Sequence, residues 1–229
     1  MVGSEWIQAD GKITSQTPQN FIELMSQSDS KCYFVALNSG GGDLVAGIKL
    51  GRLFRKYGCV TWIAESIPFE SPDERHFDTI SGECYSSCAY AFLGGVERFV
   101  SEGDKYGIHQ HYLRRAWSEP LEKTVTAIDL TVSQFLTGVL MDYVIEMGVD
   151  PRLVSLATKV APNKDMLLLK RDEQIKLRVV TDTPLPLEKW SLVPFNDGAL
   201  AGYLLQPAHL FAEETQAVLT CNRKNKRLI

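Results

Sequence analysis

Between Cys32 and Ala64 the chain alternates two textures. "CYFVALN", Cys32 to Asn38, is a short unbroken apolar run rich in strand formers, and "CVTWIA", Cys59 to Ala64, is another. Runs of this length without polar alternation predict strands buried on both faces. Between them Leu44, Ile48, Leu50, Leu53 and Phe54 recur among lysines and arginines. That spacing predicts an amphipathic helix from Leu44 to Tyr57, stopped by Gly58. "SGGGD" separates the first strand from the helix. Strand, glycine turn, helix and strand make a βαβ unit, which implies a parallel sheet.

Farther along, Glu65 to Gly82 is long, polar and proline-bearing, and predicts a surface loop. "SGECYSSCAYAFLGG", Ser81 to Gly95, predicts a second helix with two serines at its entry. Strands are expected near Arg98–Val100 and Tyr106–His111. Val125, Ile128, Val132, Phe135, Val139 and Tyr143 mark an apolar stripe on a long helix from Leu121 to Met147. The stretch after Ala161 supplies a loop, a short strand, a helical turn and a last strand. Beyond Pro184, "KWSLVPF", "LAGYLL" and "AVLTC" read as short strands with turns between them. The expected organisation is an α/β domain over residues 1–182 and a small β-rich segment over 183–229, open to being cut short at Ile229.

Composition narrows the function classes. The 229 residues are 45% hydrophobic and 23% charged, ordinary values for a globular chain whose core needs no metal or disulfide. A net charge of −4 lacks the basic footprint of a nucleic-acid partner. "NRKNKRLI" at the end reads as a solvated tail. No apolar run is read as a membrane span. The amino end has no signal-peptide pattern, so the expectation is a cytosolic protein or one whose leader precedes this sequence. Five cysteines, an odd number, suggest no obvious disulfide framework.

Acyl transfer requires a nucleophile, a base and donors for the oxyanion. Ser86 sits at a helix entry, where backbone N–H groups are unpaired and the dipole is positive. The N–H of Ser87 can face a developing oxyanion there, and the glycines of "LNSGGG" let backbone approach a substrate. The residues alone leave other readings open. Ser86 can cap the helix through its hydroxyl, and Ser87 is the rival nucleophile. His109 and His111, at i and i+2, share a strand face and could ligate zinc with Cys84 or Cys88. No acidic or cysteine partner lies at a recognised spacing, so no metal is expected. Cys84 and Cys88 read as packing residues that could pair on export, although one helical turn imposes a strained geometry. His76 and His209 read as surface residues.

Taken in order, "LNSGGGDLVAG", "GECYSSCA" and "YGIHQHY" resemble the Clp protease and crotonase superfamily. There a glycine turn at a strand end is followed by a serine helix entry and then a histidine strand. Ser86 lies four residues after Gly82, and His109 lies 23 after Ser86. His111 stands where proline is usual. The cysteines around the serine and the following "AFLGGVER" are similar to a bacterial branch of Clp-protease-like proteins expected to be periplasmic. The resemblance covers residues 6 to 182.

It implies a Clp/crotonase-like spiral of βαβ units and a serine hydrolase, most plainly a peptidase. Ser86 would form the acyl-enzyme, with His109 as base and Asp165 as the third member. Gly41, Gly42 and Ser87 would supply the oxyanion hole. "KDMLLLKRDEQIKLRVVTD" is one residue out of the family spacing, with Arg178 where glycine is usual, so Asp150 and Asp172 are fallbacks. A carboxylate beside His109 would raise its pKa. The resemblance further implies a peptide or protein substrate, no cofactor, no ATP requirement in this chain, and homo-oligomers built through the long helix. It implies a periplasmic or otherwise exported protein, with cytoplasmic as the alternative. The rivals are a non-catalytic scaffold module and crotonase-type acyl-CoA chemistry. The intact serine and histidine, and the lack of a basic cluster for CoA phosphates, argue against the second.

Overall fold

The structure, a computed structural model, describes residues 6–27, 32, 34–70, 75–112, 126–161, 164–181, 191–194, 200–205, 216–222 and 227–228. The chain divides into two compact units, Met1–Thr181 and Asp182–Ile229. In the first, β1 (Ile7–Asp10), β2 (Phe34–Asn38), β3 (Val60–Ile63) and β7 (Arg98–Phe99) form a parallel sheet in the order β1-β2-β3-β7. Val35, Ala36 and Leu37 of β2 and all of β3 are buried. Burial on both faces is why these segments carry no polar alternation. The helix between them, α2 (Leu44–Tyr57), has the expected bounds. Asp43 caps it by accepting from the Ala46 N–H at 2.8 Å, and Gly58 ends it at φ 68°.

A second sheet stands beside the first. In it β6 (Glu83–Tyr85) runs parallel to β8 (Lys105–Ile108), and β9 (Leu167–Leu168) runs antiparallel to β8. A bridge between Ser39 and Cys84 links the two sheets. Helix α3 (Ser87–Phe92) follows β6 with every residue buried. The second unit is a four-stranded antiparallel sheet of β10 (Ser191–Pro194), β11 (Leu200–Leu205), β12 (Gln216–Asn222) and β13 (Arg227–Leu228).

Several expectations are corrected. The loop over 65–82 contains a hairpin, β4 (Glu65–Glu70) paired with β5 (Arg75–Ile80). Pro68 suggested a loop, but each strand of a two-stranded ribbon has an outer edge where a missing N–H breaks no ladder bond. Strand β1 and helix α1 (Thr17–Gln27) were not anticipated. Helix α4 spans Ala127–Glu146 and is followed by α5 (Arg152–Ala157); Leu121 and Val125 lie outside the described residues. Its apolar stripe is not core. Ile128 is 73% exposed and Phe135 69%, and within the helix only Leu140, Tyr143 and Val144 are buried. By length and composition α4 could cross a membrane, contrary to the reading that no apolar run is long enough. The cysteines also form two disulfides, Cys32–Cys59 and Cys84–Cys88. Cys32 and Cys59 each precede one of two adjacent parallel strands, so one βα crossover brings them together.

A buried guanidinium fixes the far end of α3. Arg98, 4% exposed, donates through Nε to the Val179 carbonyl at 2.7 Å and through Nη2 to Arg178 at 2.9 Å. Its Nη1 donates to Gly95 at 3.1 Å and Leu93 at 3.3 Å, and reaches Met147 at 3.5 Å. These carbonyls lie at the carboxyl ends of α3, of α4 and of α6 (Arg171–Lys176), where backbone acceptors lack intrahelical partners. Burial, and then the like charge of Arg55, pushes its pKa down to about 10, so it stays protonated at neutral pH. A lysine has no planar fork to serve these acceptors together. Arg98→Lys is therefore expected to destabilise the first unit by about 3 kcal/mol or more. The shift of the urea unfolding midpoint checks this.

Candidate active site

Ser86 occupies a sharp strand-to-helix elbow between β6 and α3. Its backbone has φ 56° and ψ −121°, a conformation that costs a non-glycine residue about 1–3 kcal/mol. Its N–H donates to the Gly107 carbonyl of β8 at 3.0 Å. Although Ser86 is the N-cap of α3, its side chain makes no capping bond. The hydroxyl is therefore not committed to the helix, which was the bland reading of this position. Ser87 is different: it is 1% exposed, and its Oγ has no hydrogen-bond partner. It packs against Gly47 of α2, where an added Cβ would stand 2.6 Å from the Ser87 carbonyl oxygen. Of the two hydroxyls, the half-buried Ser86 is the accessible one.

The glycine turn after β2 lies directly against this elbow. Gly41 has φ 93°, and a Cβ there would meet the Tyr85 carbonyl at 2.6 Å, Ser86 Cβ at 2.8 Å and the Ser87 nitrogen at 3.1 Å. The Gly41 N–H already donates to Ser39 Oγ at 3.0 Å. Gly42 bridges Ile13 through its neighbours: the Gly41 carbonyl accepts from Ile13, and Asp43 donates to it. That pairing does not use the Gly42 N–H. The Ser87 N–H, at the first helical position, has no intrahelical acceptor. Ser39, which sequence reading missed, thus shapes the turn with its hydroxyl and ties it to Cys84 with its backbone. Its signal was a serine leading into three glycines.

His109 follows β8 directly, since that strand ends at Ile108 and not at His111. Tyr85 pairs with Gly107 in parallel register, so the residues just beyond, Ser86 and His109, emerge at neighbouring strand ends. The His109 ring is half-buried, with its centroid 5.9 Å from that of Tyr112. Burial pushes its pKa below the ordinary value, and a backbone interaction with Gln110 offsets part of this. Its Nδ1 is buried without a partner, and so is Nε2 of His111. A zinc site using Cys84 or Cys88 is excluded because both sulfurs are bonded to each other. No group of three potential metal ligands occurs among the described residues.

Asp165 is exposed, two residues ahead of β9. The β8–β9 pairing matches Ile108 with Leu167, so continuing the register sets Met166 opposite His109 and Asp165 one step farther. No hydrogen bond joins Asp165 to His109 Nδ1. The fallback carboxylates are engaged elsewhere. Asp150 accepts from Arg152, with Oδ2 to Nη2 at 2.7 Å, and this holds its pKa at about 2. Asp172 lies 3.4 Å from Lys176. A cavity of about 360 Å3 between β1, α1 and α2 includes Ser39, but neither Ser86 nor His109 lines it.

Neither a protein-family model nor a curated protein sequence matches this chain. Solved structures do. A variant of 1510-N, a membrane-bound stomatin-specific protease, superimposes with a TM-score of 0.51 over 77% of this chain and 79% of its own, at 16% identity. A variant of ClpP1 from Listeria monocytogenes gives 0.52 over 76% and 87%, also at 16% identity. This chain has a Clp protease-like fold. At such identity the likeness is one of fold, and the site rests on the geometry above.

The close approach at Gly41 gives a test of that geometry. Gly41→Ala must displace the elbow or the turn, and is expected to lower stability by about 1–3 kcal/mol. Gly40→Ala, with nothing within 4 Å of the new Cβ, is expected to be near neutral. Paired urea titrations of the two variants compare them.

Proposed function

We propose that this Clp-like chain is a serine peptidase acting through an acyl-enzyme on Ser86. The observation that carries this is the positive-φ Ser86, its hydroxyl unspent on capping, at a strand end next to the one leading to His109. In this reading neutral His109 accepts the Ser86 proton as Oγ attacks a peptide carbonyl. The N–H groups of Ser87 and Gly42 face the oxyanion, and Gly41 joins them if a substrate displaces Ser39. Each such donor contributes about 3 kcal/mol to transition-state stabilisation. The proton then passes to the leaving amine, and water releases the acyl group. Asp165 is the family-pattern candidate to accept from His109 Nδ1, the nitrogen that lacks a partner.

A fluorophosphonate probe tests the nucleophile. Labelling should map to Ser86 and vanish in Ser86→Ala; an unlabelled wild type would favour the non-catalytic scaffold. The labelling rate should rise with pH, because only neutral imidazole accepts the serine proton. With His109 desolvated and no carboxylate partner on it among the described residues, the midpoint should fall below the ordinary ~6.5. This reverses the sequence expectation of a raised value. A midpoint above ~6.5 that drops in Asp165→Asn would instead show the carboxylate docked on His109.

Two further readings accompany this one. The paired cysteines support work in an oxidising compartment, where disulfides persist, and so an exported or periplasmic protein. The exposed apolar residues of α4 support self-assembly. Ile128→Glu with Phe135→Glu should convert an oligomer to monomers in sedimentation velocity. Vesicle binding lost in the same variant would assign the face to a membrane instead.

A further inference from the structure

The two disulfides differ in what they can do. Cys32–Cys59 closes a separation of 27 residues, whereas Cys84–Cys88 closes one of only four. Restricting the unfolded chain stabilises more as the closed loop lengthens, so the shorter link contributes less of that kind. What it does constrain is local. Cys84 lies in β6, paired with Tyr106 and bridged to Ser39, and Cys88 is the second residue of α3. Ser86 is the midpoint of the ring they close.

We propose that the Cys84–Cys88 disulfide is a positioning element that holds Ser86 in its positive-φ conformation. This rests on the reading of Ser86 as nucleophile. An extended five-residue segment would separate its ends by about 13 Å, whereas the two Cα atoms are 5.2 Å apart. The link therefore forbids a fully extended path from Cys84 to Cys88, so Ser86 cannot relax by letting the start of α3 run on as strand. The other compact choice is to continue α3 backward through Ser86. The pairing of Cys84 with Tyr106 and of Tyr85 with Gly107 blocks that choice. What remains is the elbow, with the Ser86 N–H on Gly107 and Gly41 packed against its Cβ. Without the link, those contacts alone oppose the backbone preference, and the first turn of α3 is free to unwind toward extended chain. Both sulfur-bearing residues are fully buried, so the clamp forms part of the core under the site.

The test compares Cys84→Ala/Cys88→Ala with Cys32→Ala/Cys59→Ala, well below both melting temperatures. A second clamp variant, Cys84→Val/Cys88→Ala, keeps more of the buried volume and separates loss of the link from cavity formation. Two rates are read: exchange of the Ser86 backbone amide, which is bonded to Gly107, and fluorophosphonate labelling. Both clamp variants should exchange at least tenfold faster at this amide and label at least tenfold more slowly, with exchange at Val35 to Leu37 unchanged. The Cys32–Cys59 variant should show the larger fall in melting temperature with wild-type labelling. Unchanged exchange at Ser86 overturns the proposal, even if labelling falls. Faster exchange with no labelling of the wild type leaves the clamp standing and removes the peptidase reading.

Discussion

The position of α3 depends on how its carboxyl end is neutralised. The helix has six residues and all of them are buried, so its last carbonyls have no water to accept from. Arg98 and Arg55 supply the donors instead. Arg55, from α2, donates to Gly94 and Gly95 at 3.0 Å and to Leu93 at 3.3 Å. Arg98 serves Leu93 and Gly95 from the other side and extends to the ends of α4 and α6. Two like charges share one loop, and the charge of Arg55 helps push the Arg98 pKa down. Their carbonyl acceptors make the arrangement tolerable, because a buried charge is stabilised by oriented dipoles as well as by a counter-ion. The tail of α3 is thereby fixed relative to three other helices.

With the tail fixed, packing sets the approach of the head. Gly47 of α2 admits Ser87, Gly94 lies on the backbone of Gly51, and Tyr143 of α4 donates its hydroxyl to the Tyr90 carbonyl at 2.7 Å. Side chains at those glycines would force the helices apart. The elbow at Ser86 is the remaining free variable, and its backbone strain is small beside the sum of these contacts. A strained residue persists only where its surroundings over-determine it. Here the surroundings are a strand pair on one side, a glycine turn on another and a covalent link across the base.

Much of this was legible in the sequence for a simple reason: α2 carries one helical periodicity, its flanking strands are unbroken apolar runs, and Gly58 marks the helix end. The serine helix entry, the glycine turn and the strand leading to His109 were legible as an ordered set, although that strand stops at Ile108. Other features were not, because their causes are tertiary. The ring of acceptors around Arg98 joins residues 80 apart, and nothing local announces it. The stripe on α4 has helical spacing whether it faces core or solvent, so Ile128 and Phe135 could not be assigned from period alone. The Cys32–Cys59 link needed the parallel register of β2 and β3, which brings each cysteine to the same end of adjacent strands. The third site residue was read from pattern, and Asp165 stands near His109 in register without bonding to it.

That incompleteness has an energetic signature. Buried polar atoms without partners cost about 1–3 kcal/mol each, and folded proteins keep few of them. Among the described side chains four such atoms occur: Ser87 Oγ, His109 Nδ1, His111 Nε2 and Gln174 Oε1. Three of the four belong to the elbow or to the segment that runs past it. The fourth, Gln174, lies in α6. Elsewhere Arg98 shows that this fold satisfies a demanding donor with main-chain carbonyls alone. The unmet atoms of His109 and His111 are of the kind that polar groups of a bound chain, or a carboxylate brought up from the approach to β9, satisfy. Backbone strain at Ser86 and unmet polar atoms at His109 and His111 thus fall in one region, the one that the ordered serine and histidine of the sequence also mark.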